Sequence, residues 1–355
     1  MLRILLSNEQ ELLLSYLMAE AKTALEKKDR QLLILVPAQA TFLMDRQIIE
    51  ACHVAGYMHV RTMTFEKLTA QLLSEIGGRA KKSMSIEGLS LLSADAIGRL
   101  PMQALRMNKD PEIHKKTASF IRALMQEGIS PERTQELSEK IGGTAGIKLA
   151  DTAKIYQEIA EQLGKTPDYA DMESLACENI RESEYVSSSD IIIYGFDVFP
   201  GRRIGYIDTL SQYTDVRLLL QGDENLSAVR RLAQLQNHIE ILHLEGKVER
   251  PLDIALAEER LFMGARAGDI RPENIRIFCT GTRETEIETA AAEILKYTQN
   301  HRMREVALVM QNPADYAHII RDVFMKNGIP YFLGGKRSLS DSKSADFVIT
   351  ALEAA

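Results

Sequence analysis

The chain has 355 residues, 45% hydrophobic and 26% charged, with a formal net charge of −7. That length exceeds what one hydrophobic core usually serves and points to two or three domains. The acidic balance excludes a surface that is basic all over, yet leaves room for a local basic groove. The three cysteines, Cys52, Cys177 and Cys279, form no C-x-x-C pair, so they read as thiols in a reducing compartment and not as a disulfide framework. No apolar run approaches a membrane span and no secretory leader is visible, which gives a cytoplasmic expectation.

In chain order, Leu2 to Leu6 is a short apolar run, and Ser7 or Asn8 is placed to cap the helix that follows. Leu14, Leu17, Met18, Ala21, Ala24 and Leu25 give that helix an apolar stripe. A strand from Leu32 to Val36 ends at Pro37, and a helix opens near Thr41. Met58 to Thr62 reads as a strand, and Phe65, Leu68, Leu72 and Leu73 mark the next helix, ended by Gly77-Gly78. This β-α-β-α-β-α order is the signature of a parallel sheet with covering helices.

From about Ile86 to Ser183 every segment is helical in period, and Ser130-Pro131-Glu132 carries a capping hydroxyl with proline at the first helical position. The stretch reads as an all-helical insertion. Strands resume at Ile191 to Tyr194, Val216 to Leu220 and Ile241 to Leu244, with helices from Gly201 to Tyr213 and Asn225 to Asn237. Residues 251–274 are weakly patterned and read as containing a linker. Strands at Ile275 to Cys279 and Val306 to Met310 then alternate with helices at Arg283 to Tyr297 and Tyr316 to Asn327. Gly328-Ile329-Pro330 returns into a further strand. The chain stops inside a helical pattern at Glu353-Ala354-Ala355, which reads as a piece of a longer polypeptide.

Ligands of open α/β sheets sit at the carboxyl ends of strands, where helix N-termini present free N–H groups. The first such turn, Leu6-Ser7-Asn8-Glu9-Gln10-Glu11, has none of the glycines or the Lys-Ser/Thr pair of a phosphate cradle, and it carries two carboxylates. The strand ending at Tyr194-Gly195-Phe196 has only Asp197 nearby, where an ATPase needs an acidic pair for Mg²⁺. The scaffold is that of a nucleotide hydrolase without the means to hold a triphosphate.

Five blocks in order resemble the B subunit (AddB, or RexB) of bacterial ATP-dependent helicase–nucleases that process double-strand DNA breaks. They are Val36-Pro37-Ala38-Gln39-Ala40-Thr41-Phe42; Thr64-Phe65-Glu66-Lys67-Leu68; Lys148-Leu149-Ala150-Asp151 with Ile155-Tyr156; Tyr194-Gly195-Phe196-Asp197-Val198-Phe199; and Val306 to Val309 leading to Gly328-Ile329-Pro330-Tyr331-Phe332 and Gly334-Gly335. The resemblance implies an α/β, superfamily 1 helicase-like fold. A first RecA-like domain would comprise 1–82 and 186–268, an all-helical insertion 83–185, and 269–355 would begin a second RecA-like domain. It implies a part in double-strand break repair by homologous recombination. The ATP site would be degenerate, the fragment itself non-catalytic, and the A-subunit partner would bind ATP and drive the motor. It also implies a C-terminal nuclease domain with an iron–sulfur cluster beyond this chain, no cofactor within it, and possible reading of a recombination hotspot in single-stranded DNA.

On this reading Gln39 contacts a DNA base or phosphate, Thr41 either does the same or caps a helix, and Phe42 either stacks a base or packs in the core. Arg61, Thr64, Phe65 and Lys67 form the next strand-to-helix junction. There Thr64 is a helix cap, and Lys67 either contacts phosphate or is a solvated lysine. Arg202 and Arg203 lie at a helix start, a poor place for cations unless an anion is shared. Lys336 and Arg337 form a further small basic cluster. Asp151 and Asp171 read as helix-face or capping carboxylates, and the histidines show no metal spacing. The competing classes are a scaffold that docks the A subunit with little DNA contact, and a nucleotide-dependent enzyme with an unfamiliar loop.

Overall fold

The computed structural model describes residues 1–75, 84–105, 110–165, 172–235, 239–246, 249–260, 271–333 and 342–354. Two units divide at Val248/Glu249, ahead of the 268/269 break that the resemblance implies.

The first unit is built on strands β1 (Leu2–Ser7), β2 (Gln31–Leu35), β3 (Val60–Met63), β4 (Ser189–Tyr194), β5 (Val216–Gln221) and β6 (Ile239–His243). They form one sheet in the order β3-β2-β4-β5-β1-β6, and every pairing is parallel. Both faces are covered, so the central strands read as apolar runs, Leu32–Leu35 in β2 and Ile191–Tyr194 in β4, with alternate residues serving opposite cores. Leu33, Leu35, Ile191, Ile193 and Leu218 belong to one core. Leu32, Ile34, Ile192 and Leu219 belong to the other. Helices α1 (Gln10–Lys27) and α2 (Thr41–Cys52) cover the second face with Leu13, Leu17, Met44 and Ile48. Helix α3 (Phe65–Glu75) covers the first through Phe65, Leu68 and Leu72. The α/β, RecA-like expectation for this sheet is met.

Helices α4 (Ile86–Arg99), α5 (Pro111–Gln126), α6 (Pro131–Ile141) and α7 (Gly143–Lys165) lie between β3 and β4. Leu89, Ile97, Ile121, Ile155 and Ile159 give α4, α5 and α7 a separate core. Ser85, Asp110 and Ser130 cap α4, α5 and α6 through their side-chain oxygens. Asp151, 1% exposed, is neither solvated nor a cap of its own helix. Its carboxylate accepts from the backbone N–H groups of Gln103, Ala104 and Leu105 at 2.7–3.1 Å. Helices α8 (Met172–Asn179) and α9 (Glu184–Ser187) complete this stretch. They pack on the sheet instead of the helical core, through Ala176 and Val186. Helices α10 (Gly201–Tyr213) and α11 (Ser227–Leu235) join them there with Tyr206, Ile207 and Leu232. Asp171 and Gly77-Gly78 lie outside the described residues.

The second unit contains α12 (Leu252–Arg260), α13 (Arg283–Tyr297), α14 (Pro313–Lys326) and α15 (Lys343–Glu353). Ile287, Ala291, Ile320 and Phe324 join α13 to α14, with Leu308, Met310 and Ile329 packed alongside. The strands expected at 275–279, 306–310 and after Pro330 form no hydrogen-bonded ladder among the described residues. Ile277 and Val309 are 92% and 90% exposed; alternate residues of 306–310 face the helices, but among the described residues no strand pairs with them to complete a ladder.

Candidate nucleic-acid interface

The strand order sets which turns meet along the carboxyl edge of the sheet. The turn after β3 lies next to that after β2, then those of β4, β5, β1 and β6. After β2, Pro37 leads into a single 3₁₀ turn, Ala38–Ala40, before α2 begins. Ala40 N–H donates to the Pro37 carbonyl at 2.8 Å, and the Thr41 hydroxyl donates to the Ala38 carbonyl at 3.0 Å. Thr41 therefore closes the turn and caps nothing; α2 has Ala40 at its N-cap position with no side-chain bond. The extra turn shifts the phase of α2, so that Met44 and Ile48 point inward and Phe42 is left 80% exposed. The core alternative for Phe42 is excluded. Gln39 is exposed beside it.

After β3 the chain enters α3 directly. The Thr64 hydroxyl accepts from Lys67 N–H at 3.2 Å, which is the expected capping geometry. Lys67 is exposed. Phe65, expected at the interface, is fully buried. It meets Phe196 edge-on at 5.4 Å and Tyr206 at 6.1 Å, which leaves no face for a base. Arg61 is also displaced from the expected rim, for it pairs with Leu33 inside the ladder and its charge acts on the Tyr185 hydroxyl. Lys336 lies outside the described residues.

Arg202 and Arg203 do not form one basic pair. The Arg203 guanidinium lies 4.1 Å over the Phe65 ring and pairs with Glu66 at 3.2 Å and Glu173 at 2.5 Å. With its side chain only 18% exposed, it fastens α10 to α3 and α8, which corrects its assignment as a DNA contact. Burial alone would raise the Glu66 carboxyl, but its own backbone N–H, the Thr64 hydroxyl and Arg203 together hold it below the ordinary carboxylate range. Arg202 turns toward the helical insertion, where burial lowers its pKa and Tyr156 is its neighbour.

The β4 turn is held against the β2 turn. Gly195 has φ +79°, and a Cβ there would stand 3.4 Å from Pro37 Cδ, so glycine relieves both backbone and contact. Beyond it Asp197 is exposed and Val198 is 75% exposed. Val198 is an apolar rim residue that sequence reasoning passed over. Its signal was a bulky apolar side chain in a strand-end loop with no periodic partner.

On the other half of the edge the β1 turn is short and braced by several hydrogen bonds. Glu9 N–H donates to Ser7 Oγ at 3.1 Å, and the Ser7 hydroxyl donates to the Leu244 carbonyl at 3.2 Å. Gly222 N–H takes the Ser7 carbonyl at 3.0 Å, and Gln221 Nε2 takes the Asn8 carbonyl at 3.1 Å. Glu9 is the N-cap residue of α1 and makes no side-chain cap, so neither Ser7 nor Asn8 fills that role. Gly246 packs so closely that a Cβ would stand 2.8 Å from Leu12. Glu9, Asp223 and Glu224 add negative charge to this half. Among the described residues no cluster of His, Cys, Asp or Glu is arranged to hold a metal ion. No helix there is long and apolar enough to cross a membrane.

Known proteins are similar to this chain in sequence. The family model described as "ADDB, N-terminal" matches residues 14–242. Similar relatives include proteins named as the B subunit of an ATP-dependent helicase/deoxyribonuclease. The one from Listeria innocua is 25% identical over 96% of this chain and 32% of its own length. That from Alkaliphilus metalliredigens is 27% identical over 92% and 31%. That from Desulforudis audaxviator is 25% identical over 91% and 31%. The chain thus spans about a third of the length of these relatives. The family match takes in the sheet from α1 to β6 together with the helical insertion, and the chain belongs to the AddB family.

Proposed function

We propose that this chain is a DNA-guiding platform without a working nucleotide site. It would belong to the B subunit of an ATP-dependent helicase–nuclease acting in double-strand break repair by homologous recombination. Single-stranded DNA lies along the β3-β2-β4 half of the carboxyl edge. There Gln39 and the exposed ring of Phe42 meet bases, Lys67 meets phosphate, and Val198 offers a second apolar contact. The observation that carries this reading is the 80% exposure of Phe42 on a turn knotted by Thr41. A large aromatic held in solvent at a strand end costs burial energy and suits base stacking, worth ~1–3 kcal/mol per base.

The β1 turn holds no triphosphate on this reading, because it lacks the glycines and the lysine of a phosphate cradle, its Glu9 N–H is already bound to Ser7 Oγ, and Glu9 and Glu11 carry negative charge. The A subunit supplies the motor, and the iron–sulfur nuclease domain belongs to the remaining length of the relatives. Whether this chain reads a hotspot sequence rests on Gln39, the polar side chain best placed to meet a base edge. The cytoplasm, where chromosomal DNA lies, is the compartment that goes with this role.

Binding of a labelled single-stranded oligonucleotide, titrated against salt, is the test. Affinity falls steeply with salt if phosphates are neutralised; salt-insensitive binding, or none with the A subunit present, refutes the platform. Leu43 and Met58, 55% and 83% exposed, favour a second reading in which α2 and the β3 edge dock the A subunit. Replacing Gln39, Thr41 and Lys67 together separates the two. Loss of DNA binding with intact assembly supports the platform, and intact DNA binding supports the scaffold.

A further inference from the structure

The turn after α5 of the helical insertion meets the start of α10, next to the carboxyl edge of the sheet, at a small joint. Helix α5 ends at Gln126, and Glu127 and Gly128 (φ +71°) turn the chain away. From that turn Glu127 Oε2 accepts the backbone N–H of Gly201 at 3.0 Å and the Arg231 guanidinium at 3.1 Å. Arg231 in turn donates to the Phe199 carbonyl at 3.2 Å. The approach is close enough to demand glycine, for a Cβ on Gly201 would stand 2.5 Å from the Glu127 carbonyl oxygen. Arg202 runs past the same turn, its Cγ 3.7 Å from where a Gly128 Cβ would stand.

Two consequences follow from this geometry. The N-terminus of α10 already holds an anion, since Glu127 supplies the negative charge that its free N–H groups attract. Glu127 thereby competes with a DNA phosphate for that helix end, and Arg203 beside it is already neutralised by Glu66 and Glu173. The loop 195–200 is also fixed at both ends: Gly195 rests on Pro37, and Phe199 and Gly201 are held by Arg231 and Glu127. The exposed Asp197 and Val198 sit between these anchors.

We infer that Glu127 is a positioning residue that sets the 195–200 loop, so that the placement of the helical insertion and the grip on single-stranded DNA are coupled. The inference rests on the platform reading given above. Glu127 touches no DNA itself and acts through Gly201 and Arg231.

The test is hydrogen exchange of the full chain, with and without a mixed-sequence single-stranded oligonucleotide, in the parent, Glu127→Ala and Glu127→Gln. In the parent, DNA protects residues 38–43 and 195–203 and also residues 120–130 of the insertion. Glu127→Ala retains protection at 38–43, loses it at 120–130, and weakens binding by about tenfold. Glu127→Gln, which keeps an acceptor for Gly201 N–H, falls between the two. Arg231→Met probes the joint from the other side and reproduces the Ala result should Glu127→Ala fold poorly. Unchanged affinity and unchanged protection in Glu127→Ala and Arg231→Met overturn the inference. A parent that shows no protection at 38–43 refutes the platform reading itself. The joint is then judged on the DNA-free protein, where Glu127→Ala must speed exchange at 199–203 for it to stand, and unaltered exchange there overturns it.

Discussion

Removing the Asp151 carboxylate tests whether a motif residue of the family pattern works as chemistry or as architecture. Its two oxygens receive three backbone N–H groups, from Gln103, Ala104 and Leu105, while the residue is 1% exposed. Hydrogen bonds to a charged acceptor are worth ~1.5–3 kcal/mol each, and a buried donor left unpaired costs ~1–3 kcal/mol. These peptide groups are only partly buried, so water recovers a share. Roughly 1–1.5 kcal/mol for each of the three donors then gives ~3–4.5 kcal/mol for Asp151→Ala. Asp151→Asn keeps the shape but turns an NH₂ toward N–H donors, and ~2–3 kcal/mol is expected. Local exchange of residues 101–105 and 145–160, read beside a urea titration followed by far-UV circular dichroism, measures the effect in a chain of two units. Single-stranded DNA binding by the folded fraction stays at the parent value. Loss within ~0.5 kcal/mol for both variants would refute the clamp, and a stable protein with lost DNA processing would give Asp151 the chemical role denied it here.

The two phenylalanines of neighbouring junctions are expected to behave oppositely. Phe42→Ala leaves the thermal midpoint unchanged and weakens single-stranded DNA by ~1–3 kcal/mol. Phe65→Ala removes the ring beneath Arg203 and beside Phe196 and Tyr206 and destabilises by ~3–5 kcal/mol in chemical denaturation. Gly195→Ala forces a side chain into positive φ against Pro37 and costs ~1–2 kcal/mol by the same assay. Acidification loosens the helical insertion through two helix-start carboxyls. Glu87 is held below its ordinary 4.5, first by its own backbone N–H and then by the Ser85 hydroxyl; Glu132 is held below 4.5, first by the Ser130 hydroxyl and then by its backbone N–H. A carboxyl depressed in the folded state stabilises fully above its unfolded value, and that contribution is lost as pH falls through the folded value. Thermal midpoints between pH 7 and pH 3 therefore drop below pH 4.5, and less steeply in a Glu87→Gln, Glu132→Gln double variant.

The sheet was legible because strands buried on both faces leave long apolar runs, as at Leu32 to Val36 and Ile191 to Tyr194. Capped helices of the insertion were equally plain at Ser130-Pro131. The side-chain partners were not. Phe42 and Phe65 follow strands in similar local sequences, yet the 3₁₀ turn at Ala38–Ala40 rotates the first outward, while direct entry into α3 carries the second into the core. Arg202 and Arg203 look like one basic cluster in the sequence. Helical geometry sends them in different directions, and acids distant in sequence, Glu66 and Glu173, neutralise the second. Helices α8 and α9 share the period of the insertion but pack on the sheet, because periodicity shows that a face is apolar and not what will cover it. In the second unit, alternation at 306–310 reads as a strand, and the ladder that would make it one requires neighbours outside that local pattern.

The earliest strand of this sheet in the chain is enclosed by its last two: β1 stands between β5 and β6, and Arg3 reaches its partner Glu240 across a separation of 237 residues. At ~5–20 residues per second of synthesis, the nascent β1 waits roughly 12–47 s for that neighbour. The helical insertion, whose partners are near in sequence, can consolidate meanwhile. The early strands of this sheet therefore stay without their late neighbours while the insertion is already complete in the chain, and they are the strands of this sheet that chaperone protection would serve.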